Sequence, residues 1–397
     1  MNKRNKTLWI LGLMAFLANG DNYATISLLG DIAVDLGINI SSAGLSVTAY
    51  MMAYGIFTLL FGPLSDRFGK ANVINVAAMG TALFSMICAL AFNLSSLVFL
   101  RAMNGLFGAG ILPVTIALTG ELYPKEERQK ALGTIMGMAF LGAATASAFG
   151  GALAFFGSWR FVYFIYGAGE MVLALLMLKV LTRDKAVTDK IDFFTSYKSA
   201  LANHRFMRLV SLLFLVGFSI LGSFTYGGVL ITSTADLNIM QVGLILSLFG
   251  AGTVIGGRTA PRIRIKLKNG FLIMAGLLGA LSLASLATFD SLIIRSFAFL
   301  GFGMAFMFLQ STLITTAQEK MPAMKGTAMS LASFFMFLGG ALGTFVNGSL
   351  IASVGIEQIY YNSAILLPLI AFVAAYFIAG FEKRKKQALE TETKAAV

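Results

Sequence analysis

The sequence predicts an all-α integral membrane protein of twelve transmembrane helices in two pseudo-symmetric six-helix halves. Three observations predict it. Apolar residues make up 57% of the 397-residue chain and charged residues only 12%, about half the charged share of a soluble domain. The apolar residues gather into twelve runs, each about as long as the 20 residues that cross a hydrocarbon core of ~30 Å. The longest polar break, about 183–206, falls at the midpoint and leaves six runs on each side.

The runs justify themselves in order, and each is helical because lipid offers backbone groups no water partner. The first, 8–30, is polar in its middle and lacks a small-residue cleavage site, so it reads as a span and not a signal peptide. The second, 43–62, ends at Gly62-Pro63, where a helix break is expected. The third, 72–92, follows a charged turn; the fourth and fifth, 96–119 and 131–156, flank the polar stretch Glu121 to Lys130. The sixth is 160–182. The second half repeats the plan over 207–232, 239–257, 270–288, 291–317, 328–354 and 359–381. The organisation is therefore a half over 1–182, a connector over 183–206, a second half over 207–381 and a tail over 382–397. Within the connector, Phe194, Tyr197 and Leu201 fall at helical spacing among Lys190, Lys198 and Arg205, as in an amphipathic helix lying on a membrane surface.

A net charge of +12 could suggest nucleic acid, but its distribution excludes that. With the N-terminus inside and the spans alternating, every Lys and Arg except Arg101, Arg160 and Arg295 falls in a tail, an inner loop or an inner helix end. The outer loops carry Asp31, Asp35, Asp236, Asp290 and Glu357. Both termini and the connector are therefore expected in the cytoplasm of a multi-pass cell-membrane protein, bacterial by its look, whose basic loops meet anionic lipid. The single cysteine, Cys88, excludes an intramolecular disulfide and reads as a packing residue. The single histidine, His204, reads as a solvated loop residue.

The halves are related. A shift of 197 residues brings Phe140-Leu141-Gly142 onto Phe337-Leu338-Gly339 and Gly151 onto Gly348. The segment Ser96 to Arg101 echoes Ser291 to Arg295. Duplicated halves in transporters place substrate at the midplane between them. Glycines concentrate in the fifth span (Gly133, Gly137, Gly142, Gly150, Gly151), the eighth (Gly243, Gly250, Gly252, Gly256) and the eleventh (Gly339, Gly340, Gly343, Gly348), which suits either static close packing of helices or a smooth seam along which the halves slide.

Few ionisable residues lie inside the spans, and a charge there is costly unless a cavity or partner retains it. Asp21, Arg101 and Glu170 lie at similar depth in the first half. Burial and a neighbouring arginine act on a carboxylate in opposite directions, so this trio is a candidate proton site, with Asp21 taking up the proton and Arg101 tuning it. A buried structural pair is the plainer alternative.

The stretch Gly62-Pro63-Leu64-Ser65-Asp66-Arg67-Phe68-Gly69-Lys70 resembles the loop signature of the major facilitator superfamily, Gly-x-Leu-x-Asp-Arg-x-Gly-Arg/Lys, with Ala71 where a further basic residue is usual. Arg101-Ala102-Met103-Asn104-Gly105, then Gly108, Gly110 and Pro113, resembles the fourth-helix motif of its proton-coupled exporters, with Asn104 in place of Gln. Glu121 to Arg128 is similar to the family's acidic-x-x-Pro-x-x-x-Arg loop, and Gly157-Ser158-Trp159-Arg160 to its Trp-Arg corner. The nearest likeness is to the twelve-helix drug:proton antiporters. Their fifth helix carries Gly-Pro-x-x-Gly-Gly, whereas this chain has Ala146-Ser147-Ala148-Phe149-Gly150-Gly151. The resemblance implies that Gly62, Asp66, Arg67, Gly69 and Lys70 gate the conformational change, with Asp66 near the start of the eleventh helix in the outward-open state.

Substrate-binding candidates are the cavity's hydroxyls and amides: Asn19, Asn22, Tyr50, Tyr54, Asn104, Tyr226 and Gln310. With 35 Phe and 20 Met, such a cavity suits lipophilic or cationic compounds. The expected function is secondary active transport, by proton-coupled export of small amphiphilic compounds. The alternatives are proton-coupled transport of a specific metabolite, or a lipid flippase of the same fold. An enzyme is not expected: there is one His, one Cys and no nucleophile–base set. No Gly-x-x-x-x-Gly-Lys-Ser/Thr loop is present for a primary pump. The expected partners are a small-molecule substrate, a proton and membrane lipid, with no nucleic acid, metal or cofactor and a monomeric chain.

Overall fold

A computed structural model describes residues 3–181, 193–233, 236–268 and 270–395. Residues 183–192 of the connector, including Lys190, lie outside the described residues. Among those described, every regular element is a helix. The long helices are α1 Lys3–Asp35, α2 Ile40–Phe68, α3 Lys70–Cys88, α4 Leu94–Leu122, α5 Lys125–Phe156 and α6 Trp159–Val180. The second half holds α7 His204–Thr232, α8 Ile239–Leu267, α9 Gly270–Thr288, α10 Leu292–Glu319, α11 Lys325–Val354 and α12 Ile356–Ala395. Eleven are long and apolar enough to cross a membrane. The twelfth, α1, is 33 residues long, and its apolar run is interrupted by Asn19, Asp21 and Asn22. A connector helix, Phe193–Ala202, joins the halves.

The surface is apolar where a soluble protein's would be polar. Val76, Leu281, Phe297, Ile365 and Phe372 are each at least 60% exposed, on a scale that only lipid covers favourably.

One expectation needs correction, and two of the expected spans carry local interruptions. The helix does not break at Gly62-Pro63: α2 runs on to Phe68 with Pro63 inside it. Proline lacks an N–H and so leaves the carbonyl four residues earlier, that of Leu59, without its helical donor. The Tyr197 hydroxyl of the connector helix donates to that carbonyl at 2.8 Å. The chain turns instead at Gly69, whose φ of +86° favours glycine. Next, α4 is interrupted at Ala109-Gly110, three residues before Pro113 in the following helical turn. Finally, α7 contains a π-helical turn over Gly217–Leu221 and is interrupted again at Thr225-Tyr226.

The duplication is visible in packing. A Cβ at Gly142 would strike the backbone of Phe16, and a Cβ at Gly339 would strike that of Phe214. In the same way Gly105 lies on the Tyr50 backbone and Gly303 on that of Phe249. Thr25 shares a hydrogen bond with the Tyr163 hydroxyl at 3.0 Å, and Tyr360 donates to the Ser223 carbonyl at 3.1 Å. These contacts fix the register of the repeat. They place Arg295 opposite Leu97, so its resemblance to Arg101 in sequence is one turn out of register.

The halves meet along α2–α11 and α5–α8. On the first seam the Ser41 hydroxyl donates to the Gly348 carbonyl, Met51 packs on Gly340, and Gly55 on Phe334 and Phe337. On the second, Gly243 lies on Ser147, Gly250 on Ala144 and Gly151 on Ile239. The remaining seam glycines do other work. Gly142 and Gly150 pack on α1, Gly339 and Gly343 on α7, and Gly252 and Gly256 on α10, while Gly133 and Gly137 meet nothing within 4 Å.

Candidate functional site

The three intramembrane charges of the first half come together. An Asn93–Ser96 capping box fixes the start of α4, as such boxes do. That start sets Arg101 two turns into the helix, on the face it shares with Asn104. Tyr163, Tyr166, Gly167 and Glu170 recur at three- and four-residue spacing, so they share one face of α6. Gly20 lets α1 approach the Tyr166 ring closely, which brings Asp21 to the same place. Asp21, Arg101 and Glu170 are all fully buried or within 1% of it.

Their pairing is incomplete. Arg101 Nη1 lies 3.9 Å from Asp21 Oδ1, too far for a hydrogen bond. The same nitrogen donates instead to Asn104 Oδ1 at 3.1 Å. Arg101 Nε and Nη2, Asp21 Oδ1 and both Glu170 oxygens have no hydrogen-bond partner among the described residues. The guanidinium carbon sits 4.4 Å from the centre of the Tyr50 ring and 5.4 Å from that of Tyr163, so aromatic faces supply part of its stabilisation. Asn104 is itself held, its amide donating to Thr81 at the carbonyl (3.0 Å) and the hydroxyl (3.2 Å). Ser85, beside Asp21, donates to the Tyr163 carbonyl at 3.1 Å. An ionised pair is stable away from water only when its remaining valences are filled. Two acids and one arginine with free valences form a site able to hold and exchange charge.

The signature loop closes on itself within the first half. Lys70 bridges Asp66 at 3.2 Å and Glu121 at 2.7 Å, and so joins the turn after α2 to the end of α4. Arg67 lies 5.4 Å over the Phe68 ring. At the opposite, acidic face the Trp-Arg corner has a definite job: Trp159 Nε1 donates to Asp35 at 3.1 Å, and Arg160 pairs with the same carboxylate while reaching the Ala91 carbonyl at 2.9 Å. Those hydrogen bonds, Arg160's first, hold the Asp35 carboxyl below the usual carboxylate range.

The substrate-binding candidates divide. Tyr50 stacks on Tyr54 at 5.9 Å, and the Tyr54 ring meets Phe337 of the other half at 4.3 Å in a tilted pair, so these tyrosines face the interface between halves. Gln310 donates to the Met336 sulfur at 3.2 Å. Asn19 is half-buried and donates to its own helix at Ala15, and Asn22 is buried. Asn104 belongs to the charge cluster. Tyr226 lies in the seam, its hydroxyl donating to the Thr344 carbonyl at 3.0 Å beside Gly44 and Gly348. Sequence reasoning did not single out Tyr163, Tyr166, Thr81 or Ser85; the helical spacing of Tyr163, Tyr166 and Glu170 was the available signal.

Two pseudo-symmetric six-helix halves with a partly paired charge cluster buried in one of them define a membrane transporter, not an enzyme. Residues 11–344 match the sequence model of the Major Facilitator Superfamily, and the chain belongs to that family. It is 24% identical to an uncharacterised MFS-type transporter of Bacillus subtilis, YceJ, over 87% of this chain and 89% of that one. It is 26% identical to a bicyclomycin resistance protein homologue of Haemophilus influenzae, covering 82% of this chain and 84% of that one. A 157-residue stretch is 33% identical to a triacylglyceride transporter of Mycobacteroides abscessus, spanning 38% of this chain and 30% of that protein. Among solved structures the fold is shared with the nucleoside transporter NupG (TM-score 0.78, 16% identity, covering 96% of this chain and 99% of that one). It is also shared with a bacterial homologue of the lysosomal transporter Spinster in an inward-facing state (TM-score 0.75, 17% identity, 96% and 97% covered).

Proposed function

We propose that this transporter exports small amphiphilic or lipophilic compounds in exchange for protons, by alternating access. The observation that carries the reading is the buried, incompletely paired Asp21–Arg101–Glu170 cluster. Asp21 takes up and releases the driving proton, Arg101 stabilises its carboxylate, and Glu170 is the neighbouring acid. Asp66, Arg67 and Lys70, with the hinge glycines Gly62 and Gly69, bias the conformational equilibrium. Tyr50, Tyr54 and Gln310 line the substrate path. A resistance protein among the relatives supports the export reading. The test is a proteoliposome assay with a trapped pH-sensitive dye and a panel of lipophilic compounds. Substrate-evoked proton movement is expected; transport without it rejects proton coupling.

A second reading, movement of a lipid-like substrate, is favoured by the triacylglyceride transporters among the partial relatives. The altered fifth-helix motif, whose Ser147 is buried against Gly243 in the seam, instead favours transport of a specific metabolite. Transfer of a labelled lipid between leaflets, with no response to the drug panel, selects the lipid reading.

The basic face is proposed to be cytoplasmic. In a Cys88→Ala background, Asp236→Cys is expected to react with an impermeant thiol reagent on whole cells and Lys190→Cys is not. The reverse pattern inverts the topology.

A further inference from the structure

The connector between the halves is tied to both of them at atoms that can be named. Pro63 deprives the Leu59 carbonyl of a helical donor, and an unpaired carbonyl in a partly buried place costs free energy. Tyr197 supplies the donor at 2.8 Å. Ser330 of α11 lies beside the same hydroxyl, and its oxygen is 4.0 Å from where a Cβ would stand on Gly62. Tyr197 thus sits where α2 of one half meets α11 of the other, at the basic face. The far end of the connector is fixed to the second half. Asn203 caps α7 by accepting from the Arg205 and Phe206 N–H groups at 3.1 and 3.2 Å, and its amide donates to the Lys320 carbonyl at the end of α10 at 3.3 Å. Ala200, one turn from Tyr197, is fully buried, so the short helix is anchored along its inner face.

We propose that Tyr197 is a latch for the transport cycle, a positioning residue that holds the basic-face end of α2 to the second half through the carbonyl Pro63 leaves open. Any motion that parts α2 from α11 at this face breaks that bond, because Asn203 keeps the connector on the α10–α11 side. Proline inside α2 then has a use: it exposes a carbonyl that a neighbour can hold and release without unwinding the helix. The latch acts on the conformational equilibrium and is independent of which ion drives transport.

The test uses full-length protein in lipid nanodiscs, in a Cys88→Ala background, with spin labels at Asn72→Cys and Gly326→Cys. The first is exposed, and a Cβ added at the second would meet nothing within 4 Å. Pulsed distance measurement resolves joined and parted populations at the basic face. Tyr197→Phe removes only the hydroxyl and is expected to raise the ratio of parted to joined molecules about fivefold, the weight of one net hydrogen bond. Pro63→Ala returns an N–H to the Leu59 carbonyl. In that background Tyr197→Phe is expected to change the ratio less than about twofold, the signature of two residues acting through one group. Tyr197→Phe leaving the populations unchanged overturns the proposal. So does an equal shift with and without Pro63→Ala, which would reduce Tyr197 to packing for the connector.

Discussion

The two halves repeat one backbone plan but not its chemistry. The register fixed by Gly105 on Tyr50 and Gly303 on Phe249 sets Arg101 opposite Phe299, Asn104 opposite Phe302 and Tyr50 opposite Phe249. The contacts of Phe16 and Phe214 set Asp21 opposite Ser219, and those of Tyr163 and Tyr360 set Glu170 opposite Leu367. Each of these three buried charges, Asp21, Arg101 and Glu170, has an uncharged counterpart, and each counterpart is buried. Where the first half holds an unfinished polar network, the second holds a packed aromatic cluster. Phe249 stacks on Phe224 at 3.9 Å and meets Phe302 at 5.2 Å, and Phe299 lies 6.3 Å from Phe224. The second half's one buried arginine teaches the same lesson. Arg295 is completed at the helix ends, donating to the Phe289 and Leu230 carbonyls at 2.8 and 3.0 Å and to Asp290 at 3.0 Å. Arg101 has donors left over; Arg295 has its valences engaged. A charge retained without completing its bonds points to work, and a completed one to structure. On the proposed reading the first half carries coupling and the second is the apolar wall against which it moves.

Swapping the chemistry between halves is the strongest way to break that comparison. Arg101→Ala leaves buried acids without their cation, a loss of about 3–5 kcal/mol when a buried pair is broken, and is expected to abolish transport and lower the melting temperature sharply. Phe299→Leu, at the matched position, costs about 1 kcal/mol as a conservative core change and is expected to keep substrate-evoked proton movement. Equal loss of proton movement in both removes the distinction between halves. Glu170→Gln sharpens the assignment within the first half. It is expected to reduce pH-driven transport about tenfold, a cost near 1.4 kcal/mol, and less than substitution of Asp21. Its counterpart Leu367→Gln buries an unpaired amide, at about 1–3 kcal/mol of stability, and is expected to leave the pH dependence of transport unchanged.

Smaller effects belong to the two faces. Asp66→Asn removes one partner of Lys70 and leaves Glu121. As Asp66 is a third exposed, the stability cost is expected to stay below about 1 kcal/mol, while transport slows and thiol accessibility shifts between faces. At the acidic face, Asp35 titrates below the usual carboxylate range because it accepts from Arg160 and Trp159. A depressed folded-state value gives stability that is present above the unfolded value and lost as pH falls through the folded one. The melting difference between the wild type and Asp35→Asn is therefore expected to be small at neutral pH, because the group is 44% exposed, and to vanish as pH falls through the lowered folded-state value.

Much of this was legible in the sequence because lipid imposes a length on every helix and a side on every basic loop. The spans and the trio Asp21, Arg101 and Glu170 follow from those rules, and the signature loop from its resemblance to the family pattern. The departures have local causes. Gly62-Pro63 reads as a break, since nothing in the sequence says that Tyr197, far along the chain, repairs the orphaned Leu59 carbonyl. Arg295 reads as the twin of Arg101, because apolar flanks match in any register and only backbone contacts such as Gly303 on Phe249 fix it. Glu170 faces α1, where Gly20 lets that helix approach Tyr166, a contact that helical spacing alone does not reveal. Six of the thirteen seam glycines, Gly142, Gly150, Gly252, Gly256, Gly339 and Gly343, turned inward to their own half, a choice that depends on helix rotation and not on composition.

The most direct test of the central claim is Asp21→Asn in proteoliposomes, measured twice on one preparation. Driven by a pH gradient, substrate transport is expected to fall at least a hundredfold, the loss of about 2.7 kcal/mol of coupling. Without a gradient, counterflow of labelled substrate is expected to persist, because asparagine mimics the protonated acid and leaves the alternating-access machinery intact. Full pH-driven transport in Asp21→Asn would contradict the account.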